Sequence, residues 1–147
     1  SSITAGDIMH VPVLCVTEEQ PVRDLVIFLD DHRISGAPAV DADGRLSGVV
    51  SESDVVRFVG GGETVTVMHL MHTLMRQGCV SGADLEAPVS SIMTRECVSV
   101  GEGAPLGDML ELLRTRRINR IPVVDAGMRP VGIVSRTDII NAFGVVQ

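Results

Sequence analysis

The chain has 147 residues, a formal net charge of −7 and 45% hydrophobic residues. That suits one globular module, and the negative charge argues against a general phosphate-backbone binder. Its only aromatics are Phe28, Phe58 and Phe143, so the core must be aliphatic, and stacking platforms for single-stranded nucleic acid are missing. All twelve cationic residues are arginines, which excludes a lysine Schiff base and a P-loop lysine. Cys15, Cys79 and Cys97 show no CxxC spacing and are odd in number, so they read as free thiols of a cytoplasmic protein. No signal peptide or long apolar run suggests secretion or a membrane span.

Taken in order, residues 13–16 form an apolar run too short for a helix and read as a strand. Pro21 suits the first turn of a helix over 21–33, where Val22, Leu25, Val26 and Leu29 share one face and Gly36 ends the segment. Residues 37–40 and 46–50 read as a hairpin, turning through Asp41-Ala42-Asp43-Gly44 with Gly44 able to take positive φ. Residues 52–59 form a second helix. Gly60-Gly61-Gly62 interrupts the pattern, and 64–76 predicts an inserted helix with a Met-rich face. His69 and His72 on it have no companion ligand, so no metal site is expected.

From residue 88 the pattern starts again. A shift of 84 lays residues 8–59 on 92–143 without a gap. Ile8-Met9 falls on Ile92-Met93, Pro21 on Pro105, Pro38 on Pro122, Val40-Asp41-Ala42 on Val124-Asp125-Ala126, and Gly48 on Gly132. Cys97–Val100 becomes the strand, 106–117 the helix, 121–124 and 131–134 the hairpin turning at 125–129, and 136–143 the closing helix. The expected fold is α/β (α+β): two β-α-β-β-α repeats packed about a pseudo-two-fold axis, one over 1–62 and one over 88–147, with the inserted helix and linker over 63–87. One such unit of about 60 residues would be marginal alone, which is the reason to expect the two together.

The densest match is Gly48-Val49-Val50-Ser51-Glu52-Ser53-Asp54 on Gly132-Ile133-Val134-Ser135-Arg136-Thr137-Asp138. Ser-x-x-Asp before an apolar helix has the form of a capping box, and a cap of that kind stabilises by about 1 kcal/mol without any further role. Its recurrence where a strand's carboxyl end meets a helix, a favoured ligand position in α/β sheets, also allows a binding role.

The chain resembles tandem CBS domains, the pair called a Bateman module. The residues that carry the resemblance are Ile92-Met93-Thr94, Ile118-Asn119-Arg120-Ile121-Pro122-Val123-Val124-Asp125 and Gly132 to Asp138, with Ile8-Met9, Ile34 to Asp41 and Gly48 to Asp54 in the first copy. The resemblance implies a regulatory, non-catalytic module that takes AMP, ADP, ATP or S-adenosylmethionine as effector in clefts between the repeats. It implies that Asp54 and Asp138, with Ser51 and Ser135, meet the ribose. Ala37, Pro38, Ile121 and Pro122 would line the adenine pocket, and Asn119, Arg120 and Arg136 would reach phosphates. No required cofactor is implied, and a homodimer that binds neither nucleic acid nor membrane is expected.

The first copy departs from the second at the cations, with Ser35, Gly36 and Glu52 in their places, so the two sites should bind unequally. A CBS pair that binds nothing and serves as a dimerisation or interaction scaffold is the alternative. An enzyme is disfavoured: no Cys–His pair, Gly-x-Ser-x-Gly, Gly-x-Gly-x-x-Gly or metal-ligand cluster is present, and His10 and His32 stand isolated in the sequence.

Overall fold

A computed structural model describes residues 3–59 and 84–146. The inserted helix expected over 64–76, with His69, His72 and the nearby Cys79, lies outside them. The described elements are α1 (Ala5–Ile8), β1 (Val16–Thr17), α2 (Val22–His32), β2 (Gly36–Val40), β3 (Leu46–Ser51), α3 (Glu52–Val59), a 3₁₀ turn (Val89–Ser91), β4 (Val100–Gly101), α4 (Leu106–Thr115), β5 (Arg120–Val124), β6 (Pro130–Ser135) and α5 (Arg136–Val146). They make two β-α-β-β-α repeats, each with a three-stranded mixed sheet in the order β1-β2-β3 or β4-β5-β6.

The leading strands are shorter and later than expected. Parallel pairing covers only Val16↔Ala39 and Thr17↔Val40 in the first sheet, and Val100↔Val123 and Gly101↔Val124 in the second. The apolar residues just before them extend no ladder. Pro21 and Pro105 cap α2 and α4 from outside, with extended backbone, rather than opening them. The end of α2 also differs: Arg33 takes a left-handed conformation at φ 54, and its N–H and that of Ile34 close the last carbonyls. Gly36 instead begins β2. Gly44 turns the first hairpin at φ 80 as expected, whereas the matching place in the second carries Met128 at φ 66.

The chain divides into two compact units that do not coincide with the repeats. One unit comprises 1–14, 44–46 and 98–147; the other comprises 15–43 and 47–97. Each repeat is therefore completed by the segment that precedes the other one. In the first unit Ala5 N–H donates to the Ala104 carbonyl at 2.9 Å, Leu106 N–H to that of Ile3 at 2.9 Å, and His10 N–H to that of Ile133 at 2.8 Å. In the second, the same bonds join Val89 to Gln20 at 2.8 Å, Val22 to Ala87 at 2.8 Å and Thr94 to Val49 at 2.9 Å. Every one of these pairs maps onto its counterpart by the shift of 84. The added strand-like residues satisfy backbone groups that β3 and β6 would otherwise leave open at an edge.

The cores follow the same division. Val16, Val22, Leu25, Val26, Leu29, Val50 and Val55 bury with Leu85, Val89 and Met93. Leu106, Met109, Ile121, Val123, Val134, Ile139 and Ala142 bury with Ala5. The methionines set the closest fit. A methyl group added at Gly132 would stand 2.5 Å from Met9 Sδ, and one at Gly48 would stand 2.9 Å from Met93 Sδ and 2.7 Å from the Thr94 carbonyl oxygen. The glycine of the repeated motif is thus the floor on which the preceding segment's methionine lies.

Candidate functional site at the Ser-x-x-Asp corners

In each repeat the last strand ends on the serine and the helix begins at the next residue, so the aspartate falls at the third helical position. There its carboxylate can reach back to the serine main chain, and it does. Ser51 N–H donates to Asp54 Oδ2 at 2.9 Å, and Asp54 N–H donates to Ser51 Oγ at 3.4 Å. Ser135 N–H donates to Asp138 Oδ2 at 2.9 Å, and Asp138 N–H to Ser135 Oγ at 3.1 Å. Both are reciprocal capping boxes, so the corner is rigid before any ligand arrives.

The remaining oxygen separates the two corners. Asp54, 8% exposed, gives Oδ1 to the Arg57 guanidinium one turn along α3, and its Oδ2 also accepts from the Ser51 hydroxyl. Asp138, 23% exposed, has His10 Nε2 at 2.9 Å from Oδ2, the oxygen already used by the cap. Among the described residues, no group bonds Asp138 Oδ1. Burial, the largest influence on the Asp138 carboxyl, pushes its pKa up. Hydrogen bonds from Ser135 and from His10, and the His10 charge, together outweigh burial and hold it below the ordinary 3.8. It is an ionised acceptor with one open oxygen.

Neither His10 nor Arg57 is among the site residues expected from the sequence. Arg57 could have been found from its place three residues after Asp54 on one helix face. His10 stands where Thr94 stands in the other copy, but the corner it reaches lies 128 residues further on, and only the exchange of leading segments brings it there.

The other expected contacts are distributed as follows. Arg136 N–H donates to the Asn119 carbonyl at 2.8 Å, and its Nη2 to the Ile118 carbonyl at 3.3 Å, so this guanidinium braces the approach to β5. Arg120 is opposite Ser135 in the β5–β6 ladder and is partly buried, while Asn119 is exposed beside it. In the first repeat Glu52 N–H donates to the Ser35 carbonyl at 2.9 Å, the same main-chain bond without the cation. Ile121 is fully buried in its unit's core, Ala37 is 1% exposed, and Pro38 and Pro122 are buried next to them. Cys15 and Cys97 are free and half-buried, and burial raises both thiol pKa values. Among the described residues no group of three or more His, Cys, Asp or Glu could hold a metal, and no helix is long and apolar enough to cross a membrane.

The family model of the CBS domain matches residues 5–61 and again 89–145. The chain belongs to the CBS domain family. Its two copies make it a CBS pair, or Bateman module. It is 30% identical to an uncharacterized protein of Methanocaldococcus jannaschii, MJ1426, over 92% of this chain and 88% of that one. It spans only about a quarter of several longer relatives that it also matches. Among solved structures, CBSX2 in complex with AMP superimposes with a TM-score of 0.72 at 25% identity, covering 97% of each chain. The CBS domain pair of protein MJ0100, in complex with 5-methylthioadenosine and S-adenosyl-L-methionine, shares the fold with a TM-score of 0.72 at 23% identity, covering all of both chains.

Proposed function

We propose that this CBS pair is a regulatory, non-catalytic module of the cytoplasm that binds an adenosine-containing ligand: AMP, ADP, ATP or S-adenosylmethionine. The observation that carries the reading is the open Oδ1 of an ionised Asp138, held by a capping box at the carboxyl end of β6. A vicinal ribose diol is matched to a carboxylate, and each hydrogen bond to a charged acceptor contributes about 1.5–3 kcal/mol. The Ser135 hydroxyl adjoins the same place. Arg136, Arg120 and Asn119 at the neighbouring end of β5 supply the donors that a phosphate would need. Because Ile121 is committed to the core, purine recognition at 121 and 122 falls to the main chain, and the same holds at Ala37 and Pro38. AMP bound to CBSX2 supports the choice of ligand class.

The first corner is the weaker one in this reading, because Arg57 already occupies the second oxygen of Asp54. There the capping role is sufficient, and a scaffold function is favoured for that repeat. Ile140 and Phe143 on α5 are exposed large apolar residues, 53% and 40%, and they support a homodimer.

Thermal unfolding with AMP, ADP, ATP and S-adenosylmethionine is the test. At about a hundred times the dissociation constant, a ligand should add about 2.7 kcal/mol, or several degrees. Asp138→Ala should remove that shift while Asp54→Ala retains most of it. No shift with any of the four in the wild-type chain leaves only the scaffold.

A further inference from the structure

His10 is placed by its main chain. Its N–H donates to the Ile133 carbonyl at 2.8 Å and its carbonyl accepts from Ile133 N–H at 3.3 Å, while Met9 fills the space over Gly132. This anchoring sets the imidazole at the corner, with Nε2 2.9 Å from Asp138 Oδ2. The side chain is otherwise open, 67% exposed, so a rotation about its own bonds takes it into water without moving the backbone.

A carboxylate oxygen offers about two lone-pair directions. Those of Asp138 Oδ2 are taken by Ser135 N–H and by His10. A ribose diol that lays one hydroxyl on each carboxylate oxygen therefore needs the direction that His10 occupies. We propose that His10 competes with the ribose diol for the Asp138 carboxylate, so that adenosyl binding at this corner weakens when the imidazole is protonated. The proposal rests on the adenosyl reading of the same corner. Its chemistry is that a charge-assisted bond to a carboxylate is stronger than the bond from a neutral donor, and imidazole is the side chain whose ordinary titration falls near neutral pH.

The charged groups on the elements around His10 are few. They are Asp138 and Arg136 on α5, Arg120 on β5, Glu102 just after β4, and Asp7 on α1, whose carboxylate is held by Thr4. On α4 they are Asp108 with Glu111 and Arg114, the last two paired with each other. Of these, Asp138 makes the ion pair with the imidazole. The other unit supplies an internal contrast. Thr94, which cannot titrate in this range, stands at the matching position, and the partner of Asp54 is Arg57, which stays charged throughout.

The test is calorimetric titration of the full chain with adenosine, which carries a ribose diol and no phosphate and does not itself titrate near neutral pH. Wild-type protein should bind adenosine about threefold to fivefold more weakly at about pH 5.5 than at about pH 8, an effect sized for an exposed ion pair. His10→Thr, which borrows the residue of the matching position, should show no such dependence, with circular dichroism confirming that it folds. Equal pH dependence in wild type and His10→Thr overturns the competition while leaving the adenosyl reading intact. Failure of the folded wild-type chain to bind adenosine or AMP at either pH overturns both.

Discussion

The Ser51–Asp54 and Ser135–Asp138 corners have the same backbone and different chemistry. Both are capping boxes at the end of a third strand, both rest on a motif glycine, and both receive a methionine from the segment preceding the other repeat. They part at the second carboxylate oxygen, closed by Arg57 in one and open in the other. A duplicated motif thus preserves what the backbone needs, while the side chains around it are free to separate binding from capping.

The glycines should break the likeness most sharply. At Gly48 an added methyl meets a backbone carbonyl that cannot move aside, whereas at Gly132 the three nearest atoms all belong to the Met9 side chain. Gly48→Ala is therefore expected to cost about 2–3 kcal/mol and Gly132→Ala about 1–2 kcal/mol, within the usual range for overpacking. Denaturant titration of both variants checks the order, and equal losses would mean that Met9 is as confined as the backbone near Gly48.

Removing the serine hydroxyls should show how alike the caps are. Ser135→Ala should destabilise by about 1 kcal/mol and Ser51→Ala by about 0.5–1 kcal/mol, because the Ser51 hydroxyl lies further from the amide it caps, at 3.4 Å against 3.1 Å. Equal melting temperatures for the two variants would remove that distinction.

Acid should sharpen the contrast from the other side. The folded-state pKa of Asp138 is depressed, so its contribution to stability is present above the unfolded value of 3.8 and is lost as pH falls through that value and then through the lower folded one. The group is near the surface, and the contribution is under about 1 kcal/mol. Asp138→Asn should lower stability at neutral pH and flatten its fall below about pH 4, as measured by urea unfolding across the acid range. An unchanged slope would show that the unfolded chain holds the same carboxyl equally well.

The smallest effect is expected at Arg57. Arg57→Ala removes a pair whose cation is exposed and whose carboxylate is buried but still held by Ser51, and should cost about 0.5 kcal/mol, yet it frees Asp54 Oδ1. A second binding event in a calorimetric titration with AMP would show that the cation alone kept the first corner closed; continued single-site binding would assign the difference to Glu52 and the missing phosphate donors.

Much of this was legible in the residues. The offset of 84, the apolar spacing over Val22 to Leu29, the Asp41 to Gly44 turn and the Ser-x-x-Asp caps all depend on neighbours within about one helical turn or one hairpin, and these short-range constraints repeat wherever the sequence does. The leading strands lie later than their apolar runs because such a run shows that residues 13–16 and 97–100 can be buried, but not which of them find a hydrogen-bonding partner. Arg33, rather than Gly36, ended α2 for a similar reason: a left-handed turn can be held by the bonds around it even without glycine.

The family, the repeated unit and the two carboxylates are all written in local order and spacing, and so can be read from the residues alone. That residues 1–14 complete the second repeat, and the stretch before residue 98 the first, emerges with the packing of the folded chain. Open strand edges and glycine floors are filled by whichever segment reaches them, and sequence proximity does not decide which one does. That exchange puts His10 on Asp138 and leaves Asp54 to Arg57, and so makes two corners with one motif chemically unequal.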